Sequence, residues 1–273
     1  MEDSERQRLW SLPLEEKLAQ AEEVIVEAFD RFGREIAATW TGGKDSTTLI
    51  WLIRRVCRRL DRPFPISLFI DEGDIFPEIQ ALIEKVSQKW EIPVEVVRND
   101  NVLRLVKDIG DPVKVAELND LNRRELDLLE FAEPEFPFEP ESYVGNHLMK
   151  TVPVKLFIEQ KGLTALFTAI RWDEHDARES EDFFSPREDP SHVRVQPILH
   201  FRERDIWDVI HTYKLPFCEL YAQGYRSLGA RYNTRPVDDI PAWEQDFDNI
   251  PERLGRGQNK EQIMEQLRNL GYM

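Results

Sequence analysis

The order of its apolar segments predicts an α/β protein with a doubly wound, mostly parallel sheet carrying helices on both faces. Four short apolar runs, EIAATW (35–40), PISLFI (65–70), PVEVVR (93–98) and TALFTA (164–169), are too short for helices and read as buried strands. TTLIWLIRRVCRRL follows the first of them and IQALIEKVSQKW the second, both with helical periodicity. Strands that alternate with helices of this length pair in parallel through crossovers.

The elements follow in order. LEEKLAQAEEVIVEAFDR (14–31) is helical, with acidic residues near its start. The first strand leads through TGGKDS (41–46) into the next helix, and DEGDIFPE forms a loop after the second strand. Residues 108–145 are less regular, and FAEPEFPFEPES (131–142), with four glutamates and three prolines, reads as a surface loop. A helix is expected near 150–161, before the fourth strand. IRWDEHDARESEDFFSPREDPSH (170–192) reads as a charged, mobile loop, VRVQPIL (193–199) as extended, and ERDIWDVIHTYK (203–214) as a helix. Beyond 215 turns dominate until a last helix, NKEQIMEQLRNLGY (259–272). The expected division is a nucleotide-binding α/β domain over 1–214 and a C-terminal extension, 215–273, packing near the active site.

With 41% hydrophobic residues in 273, the chain can bury a sizeable core. No apolar run approaches the roughly 20 residues that cross a bilayer, and MEDSERQRLW has no signal-peptide core. A cytoplasmic protein is expected. The formal charge of −16, from 36 basic and 52 acidic residues, argues against a broad nucleic-acid footprint. Cys57 and Cys218 form no CxxC or Cys/His cluster, and the five histidines lack ligand spacing, so no metal site is expected.

The turn TGGKDS carries the chemistry. A strand, a tight glycine turn and a helix make an anion site, because unpaired N–H groups at the helix start point at the ligand and the helix dipole favours negative charge. Gly42 and Gly43 let the backbone come close, Lys44 adds charge, and Thr41 and Ser46 offer hydroxyls. Asp45 either orients Lys44 or caps the helix. The pattern is not GxxxxGK[ST], since the glycines are adjacent. Asp71, at the carboxyl end of the second strand, is placed to meet a ribose or a magnesium-bound water, or else to close a turn. Arg171, Asp173 and Arg178 follow the fourth strand, where guanidinium groups can clamp an oxyanion bidentately.

TGGKDS resembles the SGGKDS pyrophosphate loop of the adenine-nucleotide α-hydrolase (PP-loop ATP-pyrophosphatase) superfamily, with Thr41 for the first serine. LFIDEGDIFPE (68–78), LMKTVPVKLFIEQKGLTALFTAIRWDEHDAR (148–178), VRVQPILHFRERDIWDVI and LPFCELYAQGYRSLG are similar, in order, to segments of one branch of it. That branch contains sulfate adenylyltransferase small subunits, phosphoadenylylsulfate reductases and FAD synthetases. The reductases' cysteine motifs are missing: no cysteine follows Cys218, and Asn146, His147, Ala230 and Asn233 stand where iron–sulfur reductases carry theirs. The ending IPERLGRGQNKEQIMEQLRNLGYM resembles that of the sulfate adenylyltransferase small subunit, whereas ARYNT departs from the CxPLT that usually follows GYxSLG there.

The resemblance implies an ATP-dependent adenylyltransferase that opens the ATP α-phosphate to attack and releases pyrophosphate. Sulfate is the foremost acceptor. The alternatives are an FMN adenylyltransferase, a reductase-family member lacking the catalytic cysteine, and a non-catalytic nucleotide-binding subunit. In this reading Thr41, Gly42, Gly43, Lys44, Asp45, Ser46 and Asp71 bind ATP, while Lys44, Arg171, Asp173 and Arg178 act on the reacting groups. ATP arrives with Mg2+, and no dedicated metal cage is expected. The acceptor is a small anion, and neither nucleic acid nor membrane is an expected partner. Sulfate as acceptor further implies a separate GTPase subunit, since this chain has no GTPase motif; self-association stays open.

Overall fold

A computed structural model describes residues 3–175 and 178–257. Nine helices among them are α1 (Asp3–Trp10), α2 (Leu14–Phe32), α3 (Lys44–Arg59), α4 (Pro77–Trp90), α5 (Asp100–Leu103), α6 (Asp120–Leu128), α7 (Tyr143–Asn146), α8 (Val152–Lys161) and α9 (Glu203–Tyr213). The strands are β1 (Ile36–Thr39), β2 (Ser67–Asp71), β3 (Val94–Arg98), β4 (Pro112–Lys114), β5 (Glu135–Pro137), β6 (Ala165–Phe167), β7 (Phe184–Glu188) and β8 (Ser191–Val195). Six of them form one sheet in the order β3-β2-β1-β6-β8-β7. All neighbours in it are parallel except the edge pair β7–β8. The doubly wound α/β expectation therefore holds.

The sheet order turns at β1. From there the chain moves outward to β2 and β3, then returns to β6 on the other side. In such sheets the crevice beyond the carboxyl ends of the two central strands is the ligand site. Here those strands are β1 and β6, paired Ile36 to Ala165 and Ala38 to Phe167.

One face of the sheet is covered by α2, α3, α4 and α9, whose apolar stripes (Ala21 and Ile25, Ile50 and Ile53, Ile79 and Ile83, Ile206 and Ile210) share the main core. The other face packs Ala37, Leu68 and Leu166 under Phe157 and Ile158 of α8. Leu215, Cys218, Leu220, Tyr221 and Ala242 join the main core, so the segment beyond 215 does not build a core of its own.

Two expectations fail locally. The charged stretch 170–192 contains β7, antiparallel to β8. An edge strand buries only part of one side, here chiefly Ser185, so its charges gave no strand pattern. Within 131–142, β5 pairs antiparallel with β4, and Phe136 and Phe138 enter a second core with Val102, Val113 and Leu126. Prolines are tolerated because this two-stranded ribbon is all edge. The expected helix at 259–272 lies outside the described residues.

Candidate active site

The turn after β1 has the geometry its glycines demand. Gly42 has φ +75°, and a Cβ there would lie 2.7 Å from Ile79 Cγ2, so both backbone and packing exclude a side chain. Gly43 is extended and caps α3, whose first closed bond runs from Thr47 N–H to Gly43 O (3.0 Å). The N–H groups of Asp45 and Ser46 precede that bond and have no acceptor within the helix. The Lys44 N–H donates to the Tyr221 hydroxyl (3.0 Å). Thr41 Oγ1 lies 3.1 Å from Ser46 Oγ, which donates to Gly43 O at 3.0 Å. In this state the two hydroxyls shape the loop.

Behind the loop lies a buried ionic network. The Lys44 ammonium bonds Glu252 and the Arg226 carbonyl (3.0 Å), with Asp45 at 3.5 Å and Glu203 at 3.7 Å. Arg171, fully buried, donates to Asp173 (2.8 Å), Asp45 and Glu252. Arg226 forks onto Glu203 (2.8 and 3.0 Å). Asp173 also accepts the Glu203 N–H at the start of α9 (2.8 Å). Burial alone would lower the Lys44 pKa, but Glu252 and Glu203 outweigh it and hold the ammonium above the ordinary lysine value. Burial would likewise raise Glu252, yet Arg171 and Lys44 bring it down to about 2. Burial and the charge of Glu252 push Glu203 up, against the pull of Lys44.

In front of the loop opens a cavity of about 300 Å³. Gly43, Lys44, Asp45 and Ser46 form one end, and Phe69, Ile75, Val154, Ile158 and Leu166 supply apolar walls. Seven cationic and five acidic side chains line it, a surplus of two positive charges in a protein of formal charge −16. Such a surplus is suited to an anionic ligand. Arg178, Arg253 and Arg256 stand on the wall contributed by the loop after β6 and by the segment near 252. Glu174 holds both Arg178 and Arg253, the latter at 3.0 Å. Arg256 donates to Glu141 (2.6 Å), Ser227 Oγ (3.2 Å) and Leu228 O (2.9 Å).

The predicted residues divide in two. Thr41, Gly43, Lys44, Asp45, Ser46 and Arg178 line the cavity. Gly42 shapes the turn from behind. Arg171 does not line the cavity: it is the hub of the buried network, which corrects its expected place as an acceptor clamp. Asp173 faces away as well, towards a separate cavity beside α1, and acts by holding Arg171. Asp71 is also absent from the wall. It accepts the Gly73 N–H (2.9 Å), so the turn alternative describes it, and Glu72 beside it reaches the cavity.

Sequence reasoning did not name Glu252, Arg253, Arg256 or His192 as site residues, although the first three lie in the ending IPERLGRGQ that carries part of the resemblance. Their local signals are weak: ERLGR is a short charged run without periodicity. His192 lines the cavity with Nδ1 2.6 Å from Pro190 O, and Nε2 has no partner among the described residues. Burial lowers its pKa to about 4, so it is a neutral acceptor. Cys57 and Cys218 are buried away from the cavity, and burial raises both thiols to about 11. Among the described residues no group of three or more His, Cys, Asp or Glu side chains is disposed to hold a metal.

Comparison with known proteins adds an independent line. Residues 35–236 match the phosphoadenosine phosphosulfate reductase domain. The chain is 24% identical over 229 residues to an adenosine 5'-phosphosulfate reductase of Geobacillus kaustophilus, covering 84% of this chain and 85% of that protein. It is 26% identical over 222 residues to a probable FAD synthase of Caenorhabditis elegans, covering 80% of this chain but 34% of the relative. Its fold is similar to that of Candida glabrata FMN adenylyltransferase in complex with FMN and an ATP analogue, with TM-score 0.56 and 18% identity over 94% of this chain and 79% of that one.

Proposed function

The chain belongs to the phosphoadenosine phosphosulfate reductase domain family, and from that membership we propose that it transfers the adenylyl group of ATP to a small oxyanion, sulfate foremost. The carrying observation is the cationic cavity that begins at the open N–H groups of the phosphate loop and has no thiol on its wall. Reduction of a sulfonucleotide by this chain's own residues needs a thiolate that reaches the sulfur. Both cysteines lie outside the cavity, and the sequence contains no third. Adenylyl transfer needs no nucleophilic side chain, only alignment and charge stabilisation.

In the reaction an acceptor oxygen attacks the α-phosphorus, the bond to the β-phosphate bridging oxygen breaks, and pyrophosphate leaves with the electron pair. The N–H groups of Asp45 and Ser46 would meet that developing charge. Arg178, Arg253 and Arg256 would hold the acceptor. Magnesium would enter as part of the ATP complex, bound through its phosphates, since the described side chains offer it no cage.

FMN is the second reading, favoured by the similarity to a probable FAD synthase. The cavity of about 300 Å³ lies at the lower end of the range for ligand sites.

Adenylyl sulfate formation is strongly uphill, so a separate GTPase subunit belongs to the sulfate proposal. The decisive assay therefore runs in reverse: adenylyl sulfate plus pyrophosphate should yield ATP with the purified chain alone. Pyrophosphate release from ATP with FMN, with no ATP formed from adenylyl sulfate and pyrophosphate, would overturn sulfate in favour of flavin. Free forward turnover of sulfate without a partner would remove the GTPase.

A further inference from the structure

We propose that Glu252 is a positioning residue: it anchors residues 250–257 to the phosphate loop and so delivers Arg253 and Arg256 to the acceptor side of the cavity. The assignment of those two arginines to the acceptor rests on the adenylyl-transfer reading; the anchoring does not.

Glu252 is buried and uses both carboxylate oxygens, Oε1 on Lys44 and Oε2 on Arg171. Its partners stand 208 and 81 residues away in sequence, on the phosphate loop and on the loop after β6. One residue on, Arg253 shares Glu174 with Arg178. Four residues on, Arg256 lies flat against Gly229, where a Cβ would come within 2.1 Å of the guanidinium.

The backbone contributes little to holding this segment. It belongs to no strand or helix. Arg235 N–H donates to Gly255 O (2.9 Å), whereas the bonds from Leu254 to Pro251 and from Arg256 to Arg253 are local. A segment without a ladder keeps its place through its side chains, and Glu252 joins this one to the loop itself through Lys44. A carboxylate at this point thus couples the wall that would hold the acceptor to the turn that would hold the leaving group.

The test uses the isosteric variant Glu252→Gln and the shorter, still charged Glu252→Asp in the full chain. Trypsin cuts after Arg253 and Arg256, so the rate of those cuts reports release of the segment. Glu252→Gln should raise that rate at least 10-fold and Glu252→Asp less. In the reverse assay the KM for adenylyl sulfate should rise about 10-fold or more, while the dissociation constant for ATP stays within about 3-fold.

Unchanged cleavage in folded variants overturns the anchor, as does an equal loss for ATP and adenylyl sulfate, which would mark general damage to the loop. If Glu252→Gln does not fold, Glu252→Asp decides by the same readings. If the parent protein acts on no acceptor, the adenylyl-transfer reading falls, and cleavage alone decides the anchor.

Discussion

Replacing Lys44 should unfold the site before it weakens any ligand. The buried network holds three cations, Lys44, Arg171 and Arg226, against four carboxylates, Asp45, Asp173, Glu203 and Glu252. Its net charge is therefore already −1. Lys44→Met takes it to −2 and strips Glu252 of one of its two partners. At an effective dielectric near 20, a charge pair 3.5 Å apart, as Lys44 and Asp45 are, is worth about 4–5 kcal/mol before desolvation is subtracted. Removing one member of a buried pair costs roughly 3–5 kcal/mol, or about 10 °C in Tm for a chain of this size. Glu252→Gln instead leaves three charges against three and relieves Glu203, so it should cost only about 1–2 kcal/mol. The double variant returns the network to −1. It should be more stable than Lys44→Met alone, with a coupling of roughly 2 kcal/mol or more. Urea unfolding of the four proteins, followed by circular dichroism, measures this directly. Additive losses, or a Lys44→Met protein within 1 kcal/mol of the parent, would refute the network argument. An activity loss in a Lys44 variant is evidence about phosphate contact only after this stability loss is accounted for.

Further outcomes follow from the same geometry. Arg256→Gln should raise the KM for adenylyl sulfate on the order of 10-fold or more, read in the reverse assay, since a charged hydrogen bond is worth about 1.5–3 kcal/mol. Gly42→Ala should cost about 2 kcal/mol or more, because alanine must adopt the left-handed region and displace Ile79; thermal unfolding checks it. His200 is buried with its pKa lowered from 6.5 to about 4, first by burial and then by Lys17. The folded state therefore binds fewer protons than the unfolded chain between those values, and stability is full above pH 6.5 and declines towards pH 4. His200→Phe should flatten the loss by up to about 3 kcal/mol, seen in unfolding midpoints across that range. Replacing Cys57 and Cys218 together by alanine should leave turnover unchanged per folded molecule; its abolition would revive thiol chemistry.

The fold and the loop were legible because both are local. β1 and β2 are continuous apolar runs, and each is followed by a periodic helix, which is what a sheet buried on two faces requires; β3, at the sheet edge, was readable from its valines. Gly42 was readable because a tight turn before a helix needs a residue free to take positive φ. β5 and β7 were not, because the prolines and charges they carry, tolerated at sheet edges, dilute the alternation. The misplacement of Arg171 and Asp71 has a different origin. A guanidinium after a central strand has the right chemistry for an oxyanion, but whether it faces the ligand depends on carboxylates that arrive from elsewhere. Arg171 faces inward because Asp45 and Glu252 meet it there. Asp71 turns onto Gly73 because an aspartate can close its own turn.

Those long-range carboxylates also explain how a strongly acidic protein can keep a cationic pocket. The positive wall is not produced by an excess of basic residues in any one stretch. It arises because Glu203 and Asp173 are spent behind the loop, on Arg226 and Arg171, and Glu252 is spent on Lys44 and Arg171, while Arg178, Arg253 and Arg256 stand on the cavity wall. Acidic residues near 252 and 203 thus do two things: they neutralise the inner cations, and they fix the outer ones by fixing the segments that bear them. The cavity's sign follows from which side of the network each charge occupies, and the net charge of the chain says little about it.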